Sequence, residues 1–144
     1  MELNSLERGV LTLLLAGDEP VLAALRAQLA VATVTSRKYT GVGFYTHFSV
    51  PDNVSRTSPL SFVINDVFGT FENEIVTGFP LFVRNGTVTC LEGFVFNAEA
   101  WPSEDWRIEP YYMHHDPPSS ATLRRYAERD MEQLRASWSG EKRR

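Results

Sequence analysis

The chain has 144 residues, of which 43% are hydrophobic and 22% charged, and its formal net charge at pH 7 is -4. This composition is ordinary for a globular protein and argues against disorder, while the length suits one domain. The single cysteine, Cys90, excludes an intramolecular disulfide and fits a reducing compartment.

The N-terminal segment, MELNSLERG, lacks the basic start and the small-residue cleavage site of a signal peptide. The apolar run at residues 10–16 is too short to cross a bilayer. We therefore expect a cytoplasmic protein with no membrane partner.

Two helices are predicted near the N-terminus. Apolar residues at helical spacing predict the first over residues 3–16, with Asn4 or Ser5 as its cap and Gly17 after its end. Pro20 suits the first turn of the second helix. The apolar stripe of that helix consists of Val21, Leu22, Leu25 and Leu29.

Strand-like patterns begin at about residue 32, where β-branched and aromatic residues become frequent. Residues 44–50 alternate between apolar and polar side chains, as in a strand with one buried face. Residues 51–59 are predicted to form a loop, and residues 60–75 one or two strands.

The clearest unit is a hairpin around Asn85-Gly86, the preferred pair for a two-residue type I′ turn. Residues 79–84 and 87–95 should pair antiparallel around it. Regular pairing would place Leu81 opposite Cys90 and Phe79 opposite Glu92. The residues predicted to be buried are Leu81, Val83, Val88 and Cys90, with Glu92 on the same face.

The C-terminal third is predicted as a loop followed by a helix. Residues 97–118 contain four prolines and no clean period, which indicates a structured loop. Ser119 or Ser120 can cap a final helix ending near Trp138. Its predicted apolar stripe consists of Leu123, Tyr126, Ala127, Met131, Leu134 and Trp138.

Together these elements predict an α+β fold. We expect an antiparallel sheet of about five or six strands, with two N-terminal helices and one C-terminal helix packed on it. Residues 1–138 would form a single domain, and residues 139–144 a flexible basic tail.

The charge is unevenly distributed along the chain. Residues 1–116 hold seven basic and fourteen acidic side chains, a net charge of -7, whereas residues 117–144 hold seven basic and four acidic, a net charge of +3. Phosphate contacts need clustered basic side chains, so an acidic body argues against a nucleic-acid partner.

Aromatic and acidic residues concentrate between positions 99 and 116, which makes this segment the main binding candidate. Trp and Tyr are enriched in binding hot spots, and acids favour a basic protein partner. Alternatively, the rings staple the loop to the sheet. The candidate binding residues are Trp101, Glu104, Asp105, Trp106, Tyr111 and Tyr112.

No catalytic residue is assigned, and the candidates are Glu92 and His47. A carboxylate on an apolar face could act as an acid or base with a raised pKa, or it could lie at the rim or pair with an arginine. His47 should lie on the opposite face, with Tyr45, where an exposed strand histidine needs no function.

No metal or cofactor is predicted. The candidates for a metal are His114, His115 and Asp116, but adjacent histidines on a strand point to opposite sides, and a solvated acidic loop explains them equally. Gly41-Val42-Gly43 lacks the lysine and the following helix of a phosphate-binding loop, and suits a bulge or bend instead.

The segments LLLAGDEPVLAALRAQLA, TGVGFYTHFSVP and GFPLFVRNGTVTCLEGFVFNAEAWP resemble a set of short bacterial proteins of unknown function. The resemblance spans residues 11–102. It implies a bacterial, cytoplasmic origin and supplies no activity, cofactor or site residue.

Two functions fit these patterns. The first is a small protein-binding or regulatory module, a monomer or small homo-oligomer, with an immunity-type inhibitor of a toxin as its sharper version. The second is a small-molecule binder or enzyme with a pocket between sheet and helices, which requires Glu92, His47 and residues 114–116 to converge. The absence of a recognisable catalytic motif favours the first.

Overall fold

A computed structural model describes residues 1–97, 99–116 and 120–139. The helices are α1 (Ser5–Leu14), α2 (Pro20–Ala30) and α3 (Met131–Ser139), and a short 3-10 helix covers Asp105–Arg107. The strands are β1 (Thr33–Tyr39), β2 (Gly43–Ser49), β3 (Phe62–Ile64), β4 (Val67–Phe71), β5 (Ile75–Gly78), β6 (Leu81–Arg84), β7 (Thr87–Val95), β8 (Glu109–His115) and β9 (Leu123–Tyr126).

The predicted α+β class is confirmed, with an antiparallel sheet, two N-terminal helices and one C-terminal helix. The predicted strand number is wrong, because the described chain forms nine strands rather than five or six. Two of the extra strands, β8 and β9, fall where a loop and the start of a helix were expected, and they pair with each other. Residues 140–144 of the predicted tail lie outside the described residues.

The sheet is ordered β1-β2-β7-β5-β4-β8-β9, and it forks beside β7. One end of β7 pairs with β6, which in turn pairs with β3, while the other end pairs with β5. The fork lies at Phe79-Pro80, between β5 and β6, where proline lacks the N–H that would continue a ladder. The two branches therefore separate, and α3 packs on β3 beside the opening.

The predicted hairpin around Asn85-Gly86 is confirmed, but its register is not regular. Arg84 pairs with Thr87 and Val83 with Val88, after which the register shifts and Leu81 pairs with Leu91. The extra residue on β7 is a β-bulge, which moves every later side chain to the opposite face.

The bulge overturns the predicted face of Glu92. Leu81, Val83, Val88 and Cys90 are all buried as predicted, but the core side chain of this stretch is Leu91. Glu92 lies opposite Tyr45, which is 38% exposed, on the outer face of the sheet.

The core fills the space between the helices and the inner face of the sheet. Because α1 and α2 have apolar stripes at helical spacing, each buries one side against the strands. The largest fully buried apolar side chains are Phe79, Leu14, Leu22, Leu25, Ile64, Leu81 and Leu91.

Candidate functional site

Two of the predicted binding residues, Trp101 and Tyr112, belong to the scaffold. The Trp101 ring packs edge-on against Phe44 and Phe79, with centroid distances of 5.4 and 6.2 Å. Its indole N–H donates to Asp105 Oδ2 at 3.0 Å. Tyr112 is buried, and its hydroxyl donates to the carbonyl of Leu13 at the end of α1. The rings of Trp101 and Tyr112 therefore attach residues 99–116 to the rest of the fold.

Tyr111 points to the other side of β8, on the outer face of the sheet. Its hydroxyl lies 2.6 Å from the hydroxyl of Thr70, and the guanidinium of Arg125 lies 4.1 Å from its ring centroid. Tyr111 is therefore separated by the sheet from Tyr112, its neighbour in the sequence.

Trp106 is the one predicted aromatic ring that stands in solvent, with 61% of its surface exposed. The backbone N–H of Trp101 donates to the carbonyl of Gly41 at 2.9 Å, which joins this segment to the β1–β2 turn. That turn exposes two further apolar residues, Tyr39 at 54% and Val42 at 49%. We call Tyr39, Val42, Glu104, Asp105 and Trp106 the aromatic–acidic surface.

A groove of about 290 Å³ runs between the two parts of this surface. Tyr39 and Asp105 face each other across it, and burial together with the charge of Asp105 raises the pKa of the Tyr39 hydroxyl. Glu104 accepts from Arg107 at 3.1 Å, and Arg107 also pairs with Glu72 at 3.0 Å. Glu104 and Asp105 make the surface acidic, and the two arginines near it are already paired, Arg107 with Glu72 and Glu104, and Arg37 with Glu7.

A buried ion pair lies close enough to Tyr39 to interact with it electrostatically. Glu7 on α1 is fully buried and accepts from Arg37 Nε at 2.8 Å and from Nη2 at 2.6 Å. Thr46 and the backbone N–H of Asn4 also donate to its carboxylate. Burial alone would raise the pKa of Glu7, but these hydrogen bonds outweigh it and hold the pKa below its ordinary value. All the acceptors are occupied, so the pair is structural.

The catalytic candidates Glu92 and His47 share the outer face, because the bulge brings Glu92 to the side where His47 was expected. His47 pairs with Cys90, and Tyr45 with Glu92. The charge of Glu92 and a hydrogen bond to it raise the pKa of Tyr45. Burial, followed by the charge of Glu92, raises the pKa of the Cys90 thiol to about 11, which keeps it protonated and unreactive. The cluster has no activated nucleophile.

Of the three metal candidates, His114 and His115 both line a cavity beside α3, and Asp116 does not. The His114 ring stacks on Tyr126 with centroids 3.7 Å apart, on the side of β8 that faces α3. Asp116 instead pairs with Arg124 at 3.5 Å. Within the ranges that the structure describes, no group of three or more His, Cys, Asp or Glu side chains is placed to hold a metal ion.

The potential functional residues that sequence reasoning missed lie at two places. Tyr39 ends β1, and Val42 lies between Gly41 and Gly43 in the β1–β2 turn, which meets the distant segment at Trp101. Asp130 and Gln133 begin α3 beside His114, and the sequence signal was present in Asp130, a favoured helix N-cap residue. It was overlooked because the helix was expected to start ten residues earlier.

No protein-family model matches the chain, and the searches of curated proteins and of solved structures returned no match. The resemblance to short bacterial proteins therefore stays a prediction. Of the helices within the described residues, none has the length and apolar character needed to cross a membrane.

Proposed function

We propose that this protein is a small protein-binding module that recognises a basic partner through the aromatic–acidic surface. The observation that carries the proposal is the exposure of Trp106 within a segment that is otherwise firmly attached. Trp101 and Tyr112 account for the attachment, so a stapling role leaves Trp106 unexplained.

Large exposed rings on a fixed frame suit a binding hot spot. A rigid Trp or Tyr gives much contact area at a small cost in conformational entropy, and Trp and Tyr dominate measured hot spots. Trp106, Tyr39 and Val42 are each about half exposed or more. Tyr39 lines the groove, which offers a partner side chain a place to insert.

The charge of the surface indicates the chemistry of the partner. Glu104 and Asp105 directly precede Trp106 in the chain, and the body of the chain carries a net charge of -7 over residues 1–116. Opposite charge steers association and raises the on-rate, and it selects against acidic partners. A basic protein surface is therefore the partner that fits.

An immunity-type inhibitor of a basic toxin is the sharper version of this proposal. Toxins that cleave nucleic acids need basic surfaces to hold phosphates, and an acidic protein can cover such a surface. The acidic body and exposed aromatic anchor support it. Co-expression with the partner, once captured, tests it, since Trp106→Ala should remove protection from toxicity if the partner is a toxin.

The binding proposal is tested by capture and by measured affinity. The wild-type chain is immobilised, the captured protein is identified and purified, and its Kd is measured for Trp106→Ala and for the double variant Glu104→Gln, Asp105→Asn. We expect Trp106→Ala to weaken binding by ~2 kcal/mol or more, the range of a hot spot. The charge variant should lower the on-rate and its dependence on salt.

Leu60→Ala is the matched control, because Leu60 is 53% exposed and its carbonyl accepts from Gly86 at the far end of the hairpin. It should bind as the wild type does. Equal affinity for every variant, or a partner with an acidic contact surface, would contradict the proposal.

The enzyme alternative draws less support. It needs Glu92, His47 and residues 114–116 in one pocket, yet β5 and β4 lie between β7 and β8 in the sheet. Adjacent strands are about 4.8 Å apart, so these groups are separated by roughly 14 Å or more.

A further inference from the structure

The groove of about 290 Å³ in the aromatic–acidic surface combines aromatic rings with a carboxylate. Its lining includes the rings of Tyr39 and Trp101, the carboxylate of Asp105 and two glycines, Gly41 and Gly43. A Cβ atom added to Gly41 would meet no other atom within 4 Å, so the groove is open at this point. A cavity of about 150 Å³ already holds benzene in another protein, and this groove therefore has room for the end of a long side chain.

Asp105 has a carboxylate oxygen without a hydrogen-bond partner. Its Oδ2 accepts from the indole N–H of Trp101 at 3.0 Å, whereas its Oδ1 accepts from no described residue. Within the described ranges, the unpaired side-chain atoms that solvent cannot reach are nitrogens of His114 and His115. Oδ1 of Asp105 is therefore both unpaired and accessible to solvent.

The charges beside the groove leave one negative charge unbalanced. The hydroxyl of Tyr39 interacts electrostatically with Asp105, Arg37 and Glu7. Arg37 also interacts electrostatically with Asp105, but its ion pair, at 2.6 Å, is with the buried Glu7. One positive and two negative groups give a net charge of -1, and Asp105 is the member that faces the groove.

The ring of Tyr39 is available to a cation. A cation over the face of an aromatic ring is attracted by the ring quadrupole. Tyr39 is 54% exposed. Among the described residues four arginines lie over aromatic rings, and the ring of Tyr39 is not one of these four. An exposed ring and an unbalanced carboxylate thus line the same groove.

Both sides of the groove are held in place by hydrogen bonds within the protein. The backbone N–H of Trp101 donates to the carbonyl of Gly41 at 2.9 Å, which ties the 101–105 segment to the β1–β2 turn. The indole N–H of Trp101 fixes the carboxylate of Asp105. Groups that are ordered before a ligand arrives lose little conformational freedom when it binds.

We propose that this groove binds an arginine side chain of the basic partner, whose guanidinium donates to Oδ1 of Asp105 and lies against the ring of Tyr39. The inference rests on the proposed function for the existence of that partner, and it adds the side chain that the partner inserts. Arginine fits better than lysine, because a planar guanidinium stacks on aromatic faces and is more weakly hydrated than an ammonium. Its N–H groups form strong, charge-assisted hydrogen bonds with a carboxylate.

The test is an NMR titration of the ¹⁵N-labelled full chain with Nα-acetyl-arginine N-methylamide at constant ionic strength. The indole N–H resonance of Trp101 is the reporter, because this N–H donates to the carboxylate that would bind the guanidinium. The matching citrulline derivative keeps the shape without the charge, and the lysine derivative carries an ammonium. We expect a saturable shift for arginine, a higher Kd for lysine and no saturable shift for citrulline.

Two variants remove one side of the groove each. Asp105→Asn removes the charge but keeps an oxygen that can accept from Trp101, and it should raise the Kd for the arginine derivative about tenfold or more. Tyr39→Leu removes the ring and should also raise the Kd, and Tyr39→Phe should restore most of the lost affinity. Asp52→Asn is the control, an equal charge change in an exposed loop after the far end of β2, and should leave the Kd unchanged.

Absence of a saturable shift of the Trp101 indole resonance overturns the inference. So does an unchanged Kd in folded Asp105→Asn, or equal binding of the arginine derivative and either of the other two compounds. Because the titration needs no partner, a captured partner whose binding is weakened by Trp106→Ala would still support the proposed function in those cases. Arginine binding without capture of a basic partner would support the site and contradict the proposed function.

Discussion

Glu7 and Arg37 form a buried ion pair that interacts electrostatically with Tyr39 of the aromatic–acidic surface. The ion pair of Glu7 could not be predicted from the sequence. Glu7 lies in an amphipathic helix, three residues after Asn4, and a glutamate at that position is explained by a capping box alone. It does serve that box, and it also accepts from Arg37 and Thr46. One carboxylate therefore anchors α1, β1 and β2.

The lowered pKa of Glu7 predicts a dependence of stability on pH. A carboxyl group whose pKa is depressed by folding stabilises the native state above its unfolded-state value, near 4.5, and loses that contribution as pH falls through the folded value. Glu7→Gln should cost ~3–5 kcal/mol at pH 7, since it leaves the Arg37 charge unpaired. Urea unfolding gives the free energy of unfolding of both proteins at pH 7 and pH 3. The difference between Glu7→Gln and the wild type should be smaller at pH 3 than at pH 7.

Glu74→Gln serves as control for that measurement, because Glu74 is exposed. The free energy of unfolding of Glu74→Gln should equal that of the wild type at both pH values. A constant gap between Glu7→Gln and wild type would mean that the ionised carboxylate is not what stabilises the fold.

Trp101 and Trp106 should respond to truncation in opposite ways. Trp101 packs on the core rings Phe44 and Phe79, so Trp101→Ala should lower the free energy of unfolding by ~3 kcal/mol. Trp106→Ala should change it by less than about 0.5 kcal/mol, as expected for an exposed site. Denaturant unfolding of the two variants separates scaffold from surface; similar losses would place Trp106 in the core.

At the scale of elements, Gln28 holds α2 to the hairpin turn. Its amide donates to the carbonyls of Ser55 and Gly86 at 2.9 and 2.8 Å, and its oxygen accepts from the Val88 N–H at 2.9 Å. Gln28→Ala removes the partner of the buried Val88 N–H and should cost ~1–3 kcal/mol. Hydrogen exchange of the Val88 amide should accelerate more than the overall loss of stability explains. An unchanged exchange rate at Val88 would show that Gln28 does not hold α2 to the hairpin turn.

The bulge in β7 predicts which of two adjacent side chains supports the core. Leu91 is fully buried, so Leu91→Ala should cost ~2–5 kcal/mol. Glu92 lies on the outer face, so Glu92→Ala should cost less than about 0.5 kcal/mol. Thermal and urea unfolding would show the reverse order if the hairpin were regular.

Local sequence patterns correctly predicted the elements that are determined by short sequence signals. The Asn85-Gly86 turn, the Asn4 cap and the apolar stripes of α1 and α2 are all local signals, and each was found. The strand β9, LRRY, is the counter-example: its apolar residues also fit a helical stripe, and only pairing with β8 makes it a strand. The bulge likewise depends on packing that no short window contains.

At the scale of the whole molecule, sequence composition located the candidate segment but not its exposed members. Both tryptophans and both tyrosines looked alike in the sequence, and only the fold separates Trp106 from Trp101 and Tyr112. The contribution of the β1–β2 turn was invisible, because residues about sixty positions apart meet there. The fork of the sheet, and with it the cavity beside α3, could not be read from any one segment either.

The central claim, that the aromatic–acidic surface is the contact surface for a partner, is tested most directly by acrylamide quenching of tryptophan fluorescence. Trp138 is buried and Trp101 packs on core rings, so Trp106 supplies most of the quenchable emission of the free protein. Adding the captured basic partner, with its own emission subtracted, should abolish that quenchable fraction in the wild type, while Trp106→Ala should show little quenching before or after. A partner that binds while Trp106 stays as quenchable as in the free protein would contradict the claim.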